Sequence, residues 1–421
     1  MGSLKNLLHA VIPSPIFSAY HFILAWFAAA LYAFPSRELM VVGVTGTKGK
    51  SSTIEFLNAI FEEAGYKTAL VSTIRMKIDS HSEPNLMRMT MGGRFFTQKF
   101  LYLASRAGCN IAFIEMTSEG ARQHRHRAIE LNALIFLNLA PEHIESHGSL
   151  QKYANAKLQL GLQLERSHKR PRYMLANSDD AQASRFLGLQ VEHCIPFALS
   201  SLDSWTTDER GGVFQFDTEE LRIHLPGAFS ITNALAAATL ARLMKIKTSV
   251  IARGLDSLKH IPGRAERVEA GQNFTVIVDY AHTPDSLAAI YSAYRGRKIC
   301  VLGSMGGGRD IWKRPVMGSI ADGMCETVIL TNEDPCDEDP RSIVEGLARG
   351  MKRSPEIRMD RREAIRHALQ LARSSDTVLI TGKGTDPCIY GPRGTKIPWS
   401  DSGVAREELE KLQKSGVSAV V

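Results

Sequence analysis

The chain has 421 residues, 44% hydrophobic and 23% charged, which excludes a disordered or low-complexity protein and is too long for one ordinary core, so two domains are expected. Its net charge of +7 is dispersed, with no arginine-rich tract and no aromatic RNA-binding signature; a nucleic-acid partner is not expected, and an anionic phosphorylated substrate explains the excess as well. The six cysteines (Cys109, Cys194, Cys300, Cys325, Cys336 and Cys388) are scattered without a CxxC pair, which argues for reduced thiols in a cytoplasmic protein and against a structural zinc.

In chain order, the first element is apolar. No Asp, Glu, Lys or Arg occurs from Val11 to Ser36, and Ile16 to Phe34 is long enough to cross a bilayer if helical. Lys5 and Arg37 flank it, and aromatics lie near both ends. Ser18, His21 and an alanine stripe suit a helix docked on protein or on a membrane surface equally well, so both a span and a docked helix stay open for residues 12–34. No signal-peptide cleavage pattern is evident, and a nucleotide enzyme would stay on the cytoplasmic side, at most at the inner face of the membrane.

Next comes VVGVTGTKGKSST, Val41 to Thr53. A strand-like run stops at a glycine-rich turn and a helix-forming segment follows, the order a phosphate-binding loop needs. Backbone N–H groups of Gly46, Thr47, Lys48, Gly49 and Ser52 can face an anion at a helix N-terminus, Lys50 can reach the phosphates of ATP, and Ser51 can offer an oxygen to Mg²⁺. One departure is that Val44 stands five residues before Gly49, where the general pattern wants glycine; Gly43 and Gly46 lie to either side.

Short apolar strands then alternate with helical segments: KTALVST, NIAFIEMT and ALIFLNLA. This is the parallel α/β pattern, in which ligands collect at the carboxyl ends of the strands. Glu115 closes one strand, where a carboxylate can hold Mg²⁺. His143 follows another, and Lys157 lies on the helix after it. Taken alone, each of the three reads equally as a polar strand end or a solvated helix face. From about Pro262 a second alternating series begins (VIVDYA, KICVLGS, TVILTNE, TVLITGKG), so the predicted organisation is an apolar helical segment (1–38), a P-loop parallel-sheet ATP-binding domain (39–261) and a Rossmann-like α/β domain (262–421).

The blocks VTGTKGKSS, EMTSEGARQHR, NLAPEHIESHGSLQKYANAK, LPGAFSITNALAA, PGRAERVEAG, VDYAHTPDSL, GGGRDIWKRPVMG, GKGTD and SDSGVAREEL occur in that order. Together they resemble the Mur ligases, ATP-dependent amino-acid ligases of peptidoglycan synthesis, and most closely the branch that adds the third residue of the muramyl peptide. The resemblance runs from about Leu39 to the C-terminus. It implies transfer of the γ-phosphoryl group of ATP to a carboxylate and displacement of phosphate by an amine, with Lys50, Glu115, His143 and Lys157 as the catalytic set. One Mg²⁺ would be held by Ser51 and Glu115, and a second would lie near His143 and a Lys157 carbamylated by CO₂. An uncharged, buried amine is what that modification requires. Asn233, Arg264, Asp279, Tyr280 and His282 would meet the nucleotide, and Ser118 and Arg125 the muramyl-peptide acceptor.

Several positions depart from the family pattern. Lys48 stands where asparagine is usual and Glu119 where histidine is; Thr385 and Asp386 replace a His-Glu pair. The amino-acid block DNPR reads Glu333-Asp334-Pro335-Cys336, which removes a bidentate carboxylate clamp. Glu333, Asp334 and Asp386 would then form an acidic pocket for a cationic amino acid such as lysine or ornithine. Members of the family carry about a hundred residues of uridine-nucleotide-binding domain before the loop, against about forty here. The block usually written NTTP is also reduced to Met89-Thr90-Met91-Gly92. A partner chain replacing that domain, a lipid-linked acceptor and a smaller peptide acceptor are the openings this leaves. A related ligase of folylpolyglutamate or cyanophycin type, and a membrane-associated nucleotide-binding pseudoenzyme or scaffold, are the rival readings.

Overall fold

The apolar run ahead of the glycine loop forms the centre of the first sheet. In the computed structural model, which describes residues 14–87, 89–142, 144–308 and 310–414, this sheet has eight strands: β1 (Met40–Thr45), β2 (Thr68–Val71), β3 (Arg75–Ile78), β4 (His81–Pro84), β5 (Ile111–Glu115), β6 (Ala133–Phe136), β7 (Tyr173–Asn177) and β8 (His193–Phe197). Their order is β4-β3-β2-β5-β1-β6-β7-β8. β3 pairs antiparallel with both β2 and β4, and the other pairings are parallel. β1, β5 and β6 are apolar nearly end to end because helices cover both faces. Their register sets Val44 opposite Glu115 and Thr45 opposite Phe136, so the loop after β1 and the ends of β5 and β6 share one edge.

The helices of this unit include α1 (Ser14–Leu31), α2 (Lys50–Glu63), α3 (Arg94–Arg106), α4 (Leu150–Glu165), α5 (Ala228–Leu243) and α6 (Thr248–Ser257). α3 and α4 bury Phe100, Leu101, Leu160 and Leu164 against one face of the sheet. α6 lies so close to α2 that a Cβ on Gly254 would come 2.6 Å from Ile60 Cα, so only glycine fits there. α1 ends where Ala33 and Phe34 take left-handed backbone angles (φ 55° and 53°) ahead of Pro35. Its small residues Ala25, Ala28 and Ala29 are buried, and Phe27 and the following Tyr32 meet the rings of Phe95 and Tyr102 on α3. Of the two readings of this segment the docked helix is therefore the one found: among the described residues no helix is long and apolar enough to cross a membrane.

Contacts group residues up to Leu139, Gly148–Leu202 and Thr232–Ser257 into this first unit, and Ala140–His147, Asp203–Ile231 and residues from Leu258 on into a second. The second unit holds an antiparallel sheet of β9 (Trp205–Thr207), β10 (Gly212–Phe216) and β11 (Glu219–Ile223). Its larger sheet comprises β12 (Glu266–Arg267), β13 (Thr275–Asp279), β14 (Lys298–Leu302), β15 (Thr327–Leu330), β16 (Glu356–Ile357) and β17 (Thr377–Thr381), in the order β12-β13-β17-β14-β15-β16. All but β12 run parallel. Strand alternation divides its side chains between two cores. Val276, Val278, Ile299, Val301, Val378 and Ile380 face helices α10 (Arg361–Leu371) and α11 (Asp401–Lys414). Ile277, Cys300, Leu302 and Leu379 face α7 (Pro284–Ser292), α8 (Lys313–Met324) and α9 (Pro340–Ala348). A hairpin of β18 (Cys388–Tyr390) and β19 (Lys396–Pro398) follows β17.

One expectation is corrected here. Cys300 on β14 and Cys325 just after α8 form a disulfide, while Cys109, Cys194, Cys336 and Cys388 are free. Their spacing in sequence gives no sign of it, because the sheet and not the chain brings the two together.

Candidate active site

The turn between β1 and α2 needs two unusual backbone positions, and glycine fills both. Gly46 has φ 157° and Gly49, the N-cap of α2, has φ 86°. A side chain at Gly49 would also strike Asn233 of α5, with its Cβ 2.2 Å from Oδ1. Asn233 thus packs directly against the loop.

Lys50 begins α2 and turns back over the loop. Its Nζ donates to the carbonyls of Gly46 (3.0 Å) and Thr47 (2.9 Å) and lies 3.9 Å from Glu115 Oε1. Ser51 Oγ donates to Glu115 Oε2 at 2.9 Å, and both residues are buried. The Glu115 carboxylate also accepts the Thr73 N–H (2.8 Å) and hydroxyl (3.1 Å), which leaves Thr73 Oγ1 to accept from the Thr90 hydroxyl (3.0 Å). Ser51 and Glu115, proposed from sequence as one metal pair, are therefore adjacent. An alcohol and a carboxylate at a phosphate loop suit Mg²⁺, a hard cation that takes few protein oxygens and completes its shell from phosphates and water. Among the described residues no group of three or more His, Cys, Asp or Glu forms a larger metal cage.

Lys157 is buried on α4, far in sequence from the loop and bonded to it: its Nζ donates to Gly46 O at 2.7 Å and sits 4.8 Å from the Tyr153 ring centre. The Tyr153 hydroxyl reaches Thr47 Oγ1 at 3.1 Å. Asn138, at the end of β6, accepts the N–H groups of Thr47 (3.1 Å) and Lys48 (2.9 Å) through Oδ1 and donates to Lys48 O (3.2 Å). Ser52 is buried in the first turn of α2. Ser118 is buried at the start of a short helix after β5 that Thr117 caps, and Arg125 binds Met91 O and Gln123 Oε1. His143 lies outside the described residues.

In the second unit, Asp279 ends β13 and accepts the N–H groups of Ala265 (2.7 Å) and Ala281 (2.8 Å), which pins the Gly263–Ala265 turn to the strand end. Arg264 Cζ lies 4.5 Å from the centre of the Tyr280 ring, a cation–π contact, and burial pushes the Tyr280 phenol well above its ordinary range. The His282 ring faces two acceptors, Nε2 toward Glu142 Oε1 (3.1 Å) and Nδ1 toward Tyr280 O (2.6 Å). Arg264, Asp279, Tyr280 and His282 therefore form one cluster.

The expected acidic pocket differs in its charge. Lys383, fully buried, pairs with Asp334 (2.8 Å) and Asp386 (3.6 Å) and donates to Cys388 O (2.6 Å). Asp334 further accepts the Tyr390 N–H at 2.9 Å. A lysine between two of the acids offsets one of their negative charges, which sequence reasoning left uncompensated. Glu333 is different: it is buried, its Oε2 has no hydrogen-bond partner, and burial pushes its carboxyl up to about 7. Its side chain lies against the backbone at the ends of β14 and β17, where a Cβ on Gly382 would come 2.2 Å from Oε2. Cys336 has a left-handed backbone (φ 54°) and donates its N–H to Tyr390 O.

Sequence reasoning missed Thr73, Thr90, Asn138, Glu142, Tyr153 and Lys383. All six lie inside segments already singled out, Thr73 in KTALVST, Thr90 in the Met89–Gly92 block, Asn138, Glu142 and Tyr153 in NLAPEHIESHGSLQKYANAK and Lys383 in GKGTD, and the place of Tyr153 one helical turn before Lys157 was the clearest available signal.

The family model for the Mur ligase middle domain matches residues 44–241, and that for the Mur ligase glutamate ligase domain matches residues 263–384. The chain is 36% identical over 380 residues to the UDP-N-acetylmuramoyl-L-alanyl-D-glutamate–2,6-diaminopimelate ligase of Syntrophomonas wolfei, covering 86% of this chain and 76% of the relative. It is 35% identical to the UDP-N-acetylmuramyl-tripeptide synthetase of Roseiflexus sp., covering 93% and 83%. A solved diaminopimelate ligase structure superposes with a TM-score of 0.60 at 25% identity, over 89% of this chain and 79% of that one. The ADP complex of Mycobacterium tuberculosis folylpolyglutamate synthase superposes at 0.70 with 15% identity, over 90% and 94%, a likeness of fold alone.

Proposed function

This chain belongs to the Mur ligase family of ATP-dependent amide ligases, and on that premise we propose that it adds an amino acid to the carboxylate of a muramyl-peptide cell-wall precursor. The observation that carries the reading is the buried Ser51–Glu115 pair beside Lys50 on a glycine loop at the centre of a parallel sheet. Adding a carboxylate oxygen to the γ-phosphorus of ATP expels ADP and leaves an acyl phosphate; the incoming amine then attacks the acyl carbon and inorganic phosphate leaves. Both reactants are anions, so fixed positive charge and oriented N–H groups are what the protein must supply.

In this scheme the N–H groups of residues 46–52 cradle phosphate oxygens, and the Lys50 ammonium leaves its carbonyl partners for the β- and γ-phosphates. Ser51 and Glu115 hold Mg²⁺, which supplies charge neutralisation when bound. Asn138, Tyr153 and Lys157 fix the loop from behind. Carbamylation of Lys157 is proposed with a definite cost: the Nζ–Gly46 contact would change from an ammonium donor to a carbamate. The position of Lys157, buried beside the loop, is what supports the modification. Asn233, Arg264, Asp279, Tyr280 and His282 are proposed as nucleotide-binding residues, and Ser118 and Arg125 as acceptor-binding residues. Domain bounds at residues 39–261 and 262–421 are proposed on the same family likeness.

For the amino acid, Cys336 cannot clamp a distal carboxylate, and Asp334 and Asp386 both already face the Lys383 ammonium. Selectivity then rests on Glu333, whose unpaired oxygen suits an ammonium group. Incubation with ATP, Mg²⁺ and UDP-muramyl dipeptide or its lipid-linked form, across a panel of amino acids, tests the reading: ADP release and a product heavier by one amino-acid residue are expected with lysine or ornithine. ADP release with no amide product from any acceptor would leave a nucleotide hydrolase instead.

A further inference from the structure

Helix α1 is built inside out for a water-facing helix. Its alanines are buried, while Ile16, Tyr20, Ile23, Phe27 and Leu31, spaced three or four residues apart along one face, are each 55–64% exposed. The helix has no charged residue to solvate that face. Scattered exposed hydrophobics are ordinary on a protein, but a continuous apolar stripe over four turns is not.

The stripe does not stop at α1. Phe27 meets Phe95 (6.1 Å between rings) and Tyr32 meets Tyr102 (5.8 Å), which joins it to the outer face of α3. On that face Phe95, Lys99, Tyr102 and Arg106 follow one another at helical spacing, all exposed. α3 carries three cations and no acid. The first 37 residues likewise contain Lys5 and Arg37 and no acid. Glu38, the first carboxylate, is bonded to Ser105.

We propose that α1 and the outer face of α3 together dock this protein peripherally on an anionic lipid bilayer, with α1 lying in the interface plane. Apolar and aromatic side chains on one continuous face, with Lys and Arg interleaved and no acid among them, are the pattern that suits acyl chains beneath a layer of negative headgroups. A protein partner or a second copy of the chain would be served by the apolar stripe alone. The interleaved cations favour the bilayer. This inference goes beyond the ligase reading and does not depend on it.

The test is sedimentation of the full-length protein with vesicles of phosphatidylcholine alone or mixed with phosphatidylglycerol. The protein is expected to pellet with the mixed vesicles and be released by carbonate. Ile23→Glu with Phe27→Glu, both solvent-facing, should lower partitioning at least tenfold with nucleotide binding unchanged. Lys99→Glu with Arg106→Glu should abolish the difference between the two lipid compositions. Quenching of Trp26 by brominated lipid, lost in Trp26→Phe, would place this helix in the interface. No pelleting with either vesicle overturns the proposal, as does pelleting that survives Ile23→Glu with Phe27→Glu. Self-association without lipid that Phe27→Glu abolishes would assign the face to a second copy and overturn it too.

Discussion

The glycine loop of the first unit and the Glu333 region of the second are both built from polar groups at the ends of parallel strands, yet they are finished to different degrees. Around the loop the polar groups close on one another: Ser51 and Thr73 on Glu115, Asn138 on the Thr47 and Lys48 amides, Lys157 on Gly46. In the second unit Lys383 and Asp334 are closed in the same way, but Glu333 keeps a buried oxygen without a partner. The difference teaches where each element of the chemistry is stored. On the proposed reading, the groups that would handle phosphate are held ready in a closed network, whereas the group proposed to select the amino acid is left for the substrate to complete.

The comparison breaks first at the loop. Lys50→Ala should lower ATP turnover by about 10²–10³-fold or more, because it removes a fixed cation where charge develops, while unfolding transitions stay near wild type. A coupled ADP assay checks it, and near-normal turnover would end the assignment of the loop. Lys157→Ala should cost on the order of 10²-fold, with partial rescue by a short carboxylic acid if a carbamate is the working form. Intact mass of the active enzyme, showing a lysine heavier by CO₂ or an unmodified one, decides between the carbamate and a purely structural amine.

Much of the first region was legible in the sequence because its chemistry is local. Strand, glycines, Lys50 and Ser51 are consecutive, and Glu115 ends a strand whose apolar run is unmistakable. What was not legible comes from distant segments: Asn138 and Tyr153 meet the loop only because β6 lies beside β1 and α4 passes over it. In the second region the same limit has a larger effect. The acids at Glu333, Asp334 and Asp386 read as one negative pocket until Lys383 is placed between two of them, and the Cys300–Cys325 bond is likewise a product of sheet topology. The apolar segment before the loop had two readings by composition, and the left-handed turn at Ala33 and Phe34, which no residue type announces, ends it as a docked helix.

Two smaller effects sharpen the second half of the comparison. Cys336→Arg should shift the ratio of kcat/KM for meso-diaminopimelate over lysine upward by about tenfold or more, since an unpaired buried carboxylate costs roughly 1–3 kcal/mol. Competition assays measure it, and a wild-type preference for diaminopimelate would contradict the selectivity argument. The smallest effect is in pH. Glu333 keeps its proton up to about pH 7 when folded, against an ordinary value of 4.5. Between those values the folded chain holds the extra proton, so this group's contribution to stability is full below pH 4.5 and is lost as pH rises through 7. Denaturant titrations should show Glu333→Gln flattening that decline. KM for a cationic amino acid should fall in the wild type as pH rises through 7, and stay level in Glu333→Gln.

The most direct measurement is the product itself. Purified protein, ATP, Mg²⁺, UDP-muramyl dipeptide or its lipid-linked form, and lysine are combined and analysed by mass spectrometry beside Lys50→Ala. The account expects one ADP per new amide bond, a product heavier by one lysine residue, and neither from the variant. ATP consumed with no amide formed on either acceptor, or product formed equally by the variant, would contradict it.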